Sequence, residues 1–236
     1  MRPGLVWALT LTAAIPTRGA AQAPEYRAGW GSVAVAAGAG VFAALPGMLH
    51  LPRGAAPCAP CDPAGLPGID RWVVGNDSRA AGTGSNLVLL GVVGGGLLGS
   101  VRGVSGDRAR GNAAMLVNAV AWTSFTTEWT KALVHRSRPV LYTTEPSAAD
   151  VRDNRRSFPS GHTAMAFSVA TSYAVMARRQ HLPHATRNGI LLFSGAAGVG
   201  AMRVAAGRHF VSDVLGGAAL GAGVGWLTAR LYPTRR

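Results

Sequence analysis

Three residues near the C-terminal end of the chain have the types and spacing of a nucleophilic site. Arg203 is followed by His209 after five intervening residues, and by Asp213 after three more. If a helix begins here, His209 and Asp213 share a face, and the carboxylate can hold one ring nitrogen of the histidine. The other nitrogen is then free to attack, by the orienting logic of Ser-His-Asp sites. The pattern predicts His209 as the nucleophile and Asp213 as its orienting partner.

A second stretch, Pro159-Ser160-Gly161-His162, precedes an apolar run, so Ser160 is a candidate helix N-cap. A helix N-terminus presents unpaired backbone N–H groups and binds anions. Gly161 allows the backbone to approach such an anion closely, and His162 is placed to exchange a proton with a leaving oxygen. The stretch therefore predicts an anion site with an acid–base group beside it.

Positive charge for this anion comes from Lys131, Arg138 and Arg203. Fixed cations around the oxygens of a transferring phosphoryl group supply most of the catalysis in such reactions. The scheme needs no metal ion and no other cofactor. For any single residue a structural role is the alternative, since a histidine in a helix bundle can bond a neighbouring helix and end-of-segment cations can set topology.

The three stretches, K-x6-R-P, P-S-G-H and R-x5-H-x3-D, resemble the type 2 phosphatidic-acid phosphatase superfamily, which also includes bacterial class A acid phosphatases and vanadium haloperoxidases. The resemblance runs from about Asn112 to the C-terminus. It implies that His209 forms a phosphohistidine, that Asp213 orients it and that His162 protonates the leaving group and then activates water. It also implies a phosphate cradle made of the following residues: Lys131, Arg138, Ser160, Gly161 and Arg203. A Ser commonly precedes the third-motif Arg in this family, and here that position is Met202.

The elements that must position these residues are apolar. The chain has 236 residues, of which 48% are hydrophobic and only 14% charged, which is too apolar for a typical soluble domain of this size. Charge-poor stretches of near-spanning length predict an all-α bundle of six membrane helices over residues 29–51, 85–101, 112–134, 161–177, 188–202 and 211–231. Many are rich in Ala and Gly, which either permits close helix packing or reflects codon bias.

The net charge of +13 does not indicate nucleic-acid binding, because the arginines form no single stripe with interleaved aromatic residues. They cluster between apolar runs instead: Arg102, Arg108 and Arg110; Arg178, Arg179 and Arg187; Arg230, Arg235 and Arg236. The positive-inside rule makes these loops cytoplasmic. The catalytic stretches then face the periplasm from the bacterial inner membrane.

The N-terminus complicates this topology. Residues 1–23 have the pattern of a signal peptide, with an apolar run near 5–15 and Ala21-Gln22-Ala23 before Pro24. Residues 24–236 then form one phosphatase domain with its catalytic motifs in 131–213. If the mature chain starts outside and residues 29–51 also span, the catalytic side becomes cytoplasmic, against the charge rule. We therefore expect residues 29–51 to be interfacial, re-entrant or packed on the bundle, or else the first run is not translocated.

Cys58 and Cys61 are the only cysteines, in a Pro-rich loop. Two thiols do not make a four-ligand zinc site, and no βαβ pattern surrounds them, so a local disulfide is the favoured interpretation. The polar segment 65–84, with Asp70, predicts an amphipathic interfacial helix.

The sequence as a whole predicts an integral membrane phosphatase that hydrolyses a lipid phosphate or pyrophosphate, with membrane lipids around it. The alternatives are a soluble periplasmic acid phosphatase, a vanadium-dependent haloperoxidase and a catalytically silent membrane scaffold. The motifs recognise only the phosphate and leave the lipid open.

Overall fold

A computed structural model describes residues 25–54, 56–143 and 151–235. Residues 1–23, for which a signal peptide is expected, lie outside this range. The described residues form seven helices: α1 (Trp30–Met48), α2 (Gly68–Arg71), α3 (Arg79–Val101), α4 (Gly106–Val134), α5 (Gly161–Arg179), α6 (Ala185–Ala205) and α7 (Val211–Leu231). Short 3-10 helices lie at Pro63–Gly65, Pro139–Tyr142 and Arg152–Arg155. The predicted all-α bundle of six long helices is confirmed, since α2 has only four residues.

The six long helices alternate in direction, which sorts the loops onto two ends of the bundle. The end of α4, the start of α5, the end of α6 and the start of α7 carry the motif residues. The arginine-containing turns between α3 and α4 and between α5 and α6 lie at the other end. There β1 (Glu25–Tyr26) pairs antiparallel with β2 (Thr234–Arg235), just before α1 and just after α7. We call these the catalytic end and the distal end.

Helix α5 is the central helix and packs against α3, α4, α6 and α7. Its closest neighbour is α7, which presents Gly217, Gly221 and Gly225, one per turn, to the backbone of α5. A Cβ atom at these positions would lie 2.5 Å, 2.0 Å and 2.5 Å from the carbonyl oxygens of Ser160, Ala164 and Ser168 respectively. No side chain larger than hydrogen fits there without moving the helices apart, so the glycines fix their separation.

Four helices in the described part of the chain, α1, α3, α6 and α7, are long and apolar enough to cross a membrane. Helices α4 and α5 carry more polar residues, and several of them face inward: Thr123 donates to Ser168 Oγ at 2.8 Å, and Asn112 exchanges two 2.9 Å hydrogen bonds with Gln180. These inward-facing side chains bond one another, away from the apolar outer surface.

Helix α1 is packed on the bundle, as one of the expected alternatives for residues 29–51. It lies along α4, where Asn118 Nδ2 donates to Ser32 O at 3.1 Å and Trp129 Nε1 donates to Phe42 O at 2.9 Å. Its length of 19 residues is sufficient to span a membrane. It runs from the distal end to the catalytic end, where Arg152 Nη1 donates to Gly47 O at 3.0 Å.

Cys58 and Cys61 are joined in a disulfide between α1 and α2. It lies against the segment that follows α4, where the backbone N–H of Cys61 donates to Leu141 O at 2.7 Å. The segment 65–84 differs from the expected interfacial helix. It contains only α2, a connecting segment and the first turn of α3, and Asp70 within α2 is wholly buried.

The glycine contacts between α5 and α7 generate a prediction with an internal control. Gly221→Ala places a methyl group on the α5 backbone and should lower the free energy of unfolding by about 1–3 kcal/mol, with loss of activity as the helices separate. Gly223→Ala, in the same helix with open space around its Cβ position, should be neutral or slightly stabilising. Thermal unfolding in detergent measures both, and equal melting temperatures for the two variants would contradict the packing argument.

Candidate active site

A cavity of about 540 Å³ opens at the catalytic end. Six of the eight residues expected at the site line it: Lys131, Arg138, Gly161, His162, Arg203 and His209. Ser160 and Asp213 lie behind its wall and are fully buried. The fold therefore brings the three sequence motifs to one place, with two of their members in supporting positions.

His209 is held by a backbone carbonyl group that accepts a hydrogen bond from one of its ring nitrogens. Nδ1 lies 2.8 Å from the carbonyl oxygen of Ser157, so Nδ1 carries the proton and donates it. Burial lowers the pKa of His209 to about 3, and the nearby guanidinium groups of Arg138 and Arg203 lower it too, while Asp213 acts in the opposite direction. The imidazole is therefore neutral at physiological pH, and Nε2 has the lone pair that a nucleophile requires.

Asp213 does not hold His209 directly, contrary to the expected arrangement. Its Oδ2 lies 3.8 Å from His209 Nδ1, which is too far for a hydrogen bond. Asp213 is the third residue of α7, and its carboxylate turns back to accept the N–H of Phe210 at 2.8 Å and the hydroxyl of Ser157 at 2.5 Å. The hydroxyl of Ser157 thus contacts Asp213, and its backbone carbonyl accepts from His209. The carboxylate is therefore linked to the histidine through one intermediate residue.

An ion-pair chain fixes Asp213 from the other side. Arg136 Nη1 donates to Asp213 Oδ1 at 2.6 Å and Arg136 Nη2 donates to Asp70 Oδ2 at 2.7 Å. Asp70 also accepts from the backbone N–H of Ser212 at 2.9 Å and from its hydroxyl at 2.5 Å. Sequence reasoning missed this role, because Asp70 is 143 positions before Asp213 and only the tertiary fold pairs them.

His162, the second residue of α5, lies at the cavity wall with Nε2 at 2.8 Å from Asn86 Oδ1. Asn86 belongs to α3 and also lines the cavity. The sequence analysis did not identify it. The one feature of the sequence that could have pointed to Asn86 is its amide side chain directly before the apolar run 87–99.

Ser160 is the N-cap residue of α5, as expected, but its hydroxyl does not line the cavity. It lies 2.9 Å from the hydroxyl of Thr163, and the Ser160 backbone N–H donates to Asp213 O at 3.0 Å. This second bond ties the start of α5 to the start of α7. Gly161 does face the cavity, where a Cβ atom would lie 3.1 Å from Lys131 Nζ.

The cations of the cavity differ in how far they are already neutralised. Lys131 donates to Glu128 Oε1 at 2.7 Å, Glu128 also pairs with Arg156, and Arg138 pairs with Asp153 at 2.9 Å. Arg203 is 91% buried, and its Nε has no hydrogen-bond partner among the described residues. A buried donor of this kind at a cavity is suited to an anionic ligand.

No group of three or more His, Cys, Asp or Glu side chains that could hold a metal ion occurs in residues 25–54, 56–143 and 151–235. The polar groups of the cavity are mainly cationic donors, which are the natural partners of phosphate oxygens.

Comparison with known proteins identifies the family of the chain. A model of the PAP2 superfamily matches residues 112–236, more than half of the chain and all three motifs. The chain therefore belongs to the PAP2 superfamily. The match begins in α4, so α1, α2 and α3 lie outside it.

Two relatives are similar to parts of the chain. A lipid A 1-phosphatase from Porphyromonas gingivalis is 40% identical over 74 residues, which cover 30% of this chain and 15% of that protein. The chain thus matches only a small part of this curated relative. The crystal structure of a transmembrane PAP2-type phosphatidylglycerolphosphate phosphatase from Bacillus subtilis aligns with a TM-score of 0.48 and 22% identity, covering 85% of this chain and 94% of that one.

The ion-pair chain behind His209 generates a second prediction. Asp70→Asn removes a wholly buried carboxylate and leaves Arg136 with one partner fewer. We expect a loss of about 3 kcal/mol in the free energy of unfolding and a fall in phosphate release, because Asp213 and Ser212 lose their anchor. Asp107→Asn, at an exposed pair with Arg110, is the matched control and should change stability by less than about 1 kcal/mol. An Asp70→Asn protein as stable and active as the control would show that the chain does not support the site.

Proposed function

We propose that this protein is a phosphatase that hydrolyses a lipid phosphate or pyrophosphate through a phosphohistidine on His209, without a metal ion. The observation that carries the proposal is a neutral, buried imidazole at a cavity whose wall is cationic. A histidine of this kind attacks phosphorus more readily than a protonated one, and the cations reduce the charge repulsion between nucleophile and phosphate.

In the first step, Nε2 of His209 attacks phosphorus while the bond to the leaving oxygen breaks. His162, which takes up a proton when the anionic substrate occupies the cavity, gives that proton to the leaving oxygen. The Nδ1–H of His209 remains on the carbonyl of Ser157, which stabilises the charged phosphohistidine. Lys131, Arg138 and Arg203, with the N-terminus of α5 at Gly161, hold the phosphoryl oxygens throughout the transfer.

In the second step, water replaces the histidine at phosphorus. His162, now neutral, takes a proton from the water as the new P–O bond forms and the bond to Nε2 breaks. Inorganic phosphate leaves, and both histidines return to their starting protonation states. No step draws on a metal ion or a cofactor.

A phosphorylated lipid is the favoured substrate class for two reasons. The cavity opens at one end of a bundle in which four helices have spanning length and apolar composition, so a headgroup at the membrane surface can reach it. The second reason is that a segment of this chain is similar to part of a lipid A 1-phosphatase, an enzyme named for a phosphorylated lipid. A water-soluble phosphate ester would fit the same cradle, and the choice between them is a matter of measured specificity.

The test of the nucleophile is His209→Ala, which should reduce release of inorganic phosphate from phosphatidic acid at least about 1,000-fold, because no other described group replaces Nε2. His184→Asn, at the distal end, should retain full activity and serves as the control. Wild-type turnover should continue in EDTA and be inhibited by vanadate.

Near wild-type turnover by the His209→Ala protein would exclude the phosphohistidine mechanism. Loss of activity in EDTA would point to a metal-dependent phosphatase. Peroxide-dependent halide oxidation after loading with vanadate, without phosphate release, would favour the haloperoxidase, and no activity in either assay would favour the scaffold.

We also propose that the catalytic end faces the periplasm of the bacterial inner membrane. The loops at the distal end carry arginines that have no role in the cavity, for example Arg102, Arg178 and Arg187, and positive loops are retained in the cytoplasm. Since α1 begins at the distal end, Glu25 then lies on the cytoplasmic side. This orientation conflicts with cleavage of residues 1–23 as an exported signal peptide. One experiment therefore tests the orientation of the bundle and the cleavage together.

Single cysteines at two exposed positions test the orientation in a Cys58→Ser, Cys61→Ser background. Val151→Cys lies at the catalytic end and Thr186→Cys at the distal end. In intact spheroplasts, a membrane-impermeant maleimide should label Val151→Cys and not Thr186→Cys, with both labelled after permeabilisation. The reverse pattern would place the active site in the cytoplasm and agree with a cleaved signal peptide. Labelling of both in intact cells would favour a soluble periplasmic acid phosphatase.

A further inference from the structure

Asn86 is a cavity residue with a direct link to the acid–base group, and it lies outside the part of the chain that the family model matches. Its Oδ1 is 2.8 Å from Nε2 of His162. An amide oxygen can only accept a hydrogen bond, so Nε2 carries the proton in this contact. The remaining ring nitrogen, Nδ1, is then the one that exchanges a proton with substrate.

Asn86 lies in α3, directly before the apolar part of that helix. The following residues, 87–99, are apolar or glycine, and several of them are exposed on the outer surface of the bundle, including Leu87 and Leu90. Asn86 is itself exposed at the cavity and is the last polar side chain before this apolar run. His162 is the partner that the structure provides.

We propose that Asn86 positions His162 for protonation of the leaving oxygen, an inference that rests on the phosphatase function proposed above. Without the acceptor at Oδ1, the ring of His162 can rotate or present the other nitrogen, and its proton is no longer aimed at the leaving group. Asn86 is therefore a positioning residue for the acid–base step.

Protons and bonds balance over the two steps of the reaction. In the first step, the Nδ1–H bond of the His162 imidazolium breaks and an O–H bond forms on the leaving alcohol or phosphate, as the P–O bond breaks and the His209 Nε2–P bond forms. In the second step, Nδ1 of His162 takes a proton from the attacking water as the new O–P bond forms and the His209 Nε2–P bond breaks. The Nε2–H of His162 stays on Asn86 in both steps.

This role makes the effect of Asn86 depend on the leaving group. A basic alkoxide must be protonated as it departs, whereas 4-nitrophenolate is stable without a proton. The ratio of kcat/KM for the two kinds of substrate therefore reports the proton transfer itself. A residue that only shapes the cavity or stabilises the fold changes both substrates alike.

The experiment compares dihexanoyl phosphatidic acid with 4-nitrophenyl phosphate in wild type, Asn86→Ala, Asn86→Asp and Thr83→Val. Asn86→Ala should lower kcat/KM for the lipid about 10-fold, a part of the 10²–10⁴-fold typical of acid–base catalysis, and for the nitrophenyl ester less than about 2-fold. Asn86→Asp keeps the acceptor and should retain activity on the lipid. Thr83→Val, which changes the same cavity wall, should leave the substrate ratio unchanged.

The pH profile provides a second readout. The charged groups that face His162 come from several elements: Lys131 on α4, Arg138 after α4, Arg203 on α6, and at the cavity rim Asp77, Arg79, Asp153 and Arg208. A carboxylate in place of Asn86 stabilises the protonated ring against these mostly positive neighbours. The alkaline limb of kcat/KM for the lipid should therefore move to higher pH in Asn86→Asp and not in Thr83→Val.

The outcomes separate this inference from the function on which it rests. An equal loss on both substrates in Asn86→Ala, or no loss on either, would overturn the positioning role. If wild type is active and His162→Ala loses activity selectively on the lipid while Asn86→Ala does not, the phosphatase function stands and only the role of Asn86 fails. An inactive wild type would overturn the proposed function itself.

Discussion

The close approach of α5 and α7 is the constraint on which the site depends. Glycines at 217, 221 and 225 allow the backbone of α7 to lie against the carbonyls of α5, and the Ser160 N–H to Asp213 O bond of 3.0 Å fixes their register at the catalytic end. His162 follows directly at the start of α5, and His209 lies just before α7. The relative position of His162 and His209, the proposed acid–base group and nucleophile, is therefore set by backbone packing, which is stiffer than contacts between long side chains.

The electrostatics of the cavity follow from that placement. Burial at the packed helix ends keeps His209 neutral, and the cations lowering its pKa are the groups proposed to hold phosphate. One arrangement thus has two effects, because the positive field that favours an anionic ligand also disfavours a proton on the nucleophile. Glu128 and Asp153 offset part of this positive charge, and Arg138 and Arg203 each have a buried Nε with no hydrogen-bond partner among the described residues.

Much of the fold and the site could be predicted from the sequence, because both leave local signals. The predicted run 211–231 coincides with α7, and six of the eight residues expected from the three motifs line the cavity, with Ser160 and Asp213 behind its wall. Long-range partners could not be predicted. Asp70 reaches Arg136, and Asn86 reaches His162, only in the folded bundle. The roles of the glycines could not be predicted either. A Cβ atom at Gly221 would meet the backbone of α5, whereas one at Gly223 would meet nothing, although the two residues lie two positions apart. The Asp213 geometry differed because a carboxylate in the first turn of α7 caps its own helix.

Both ends of the bundle are rich in arginine, for different physical reasons, and this limits what charge counting can establish. At the catalytic end the guanidinium groups are structural ties: Arg155 donates to the carbonyls of Pro52 and Arg53, and Arg136 joins Asp70 to Asp213. The positive-inside rule acts on the chain during insertion, before such pairs form, so these residues oppose the signal from the distal loops. A chain whose chemistry requires cations at one end must therefore obtain its orientation from additional information. The N-terminal run that precedes α1 can supply it, which links the fate of residues 1–23 to the side of the membrane that the catalytic end faces.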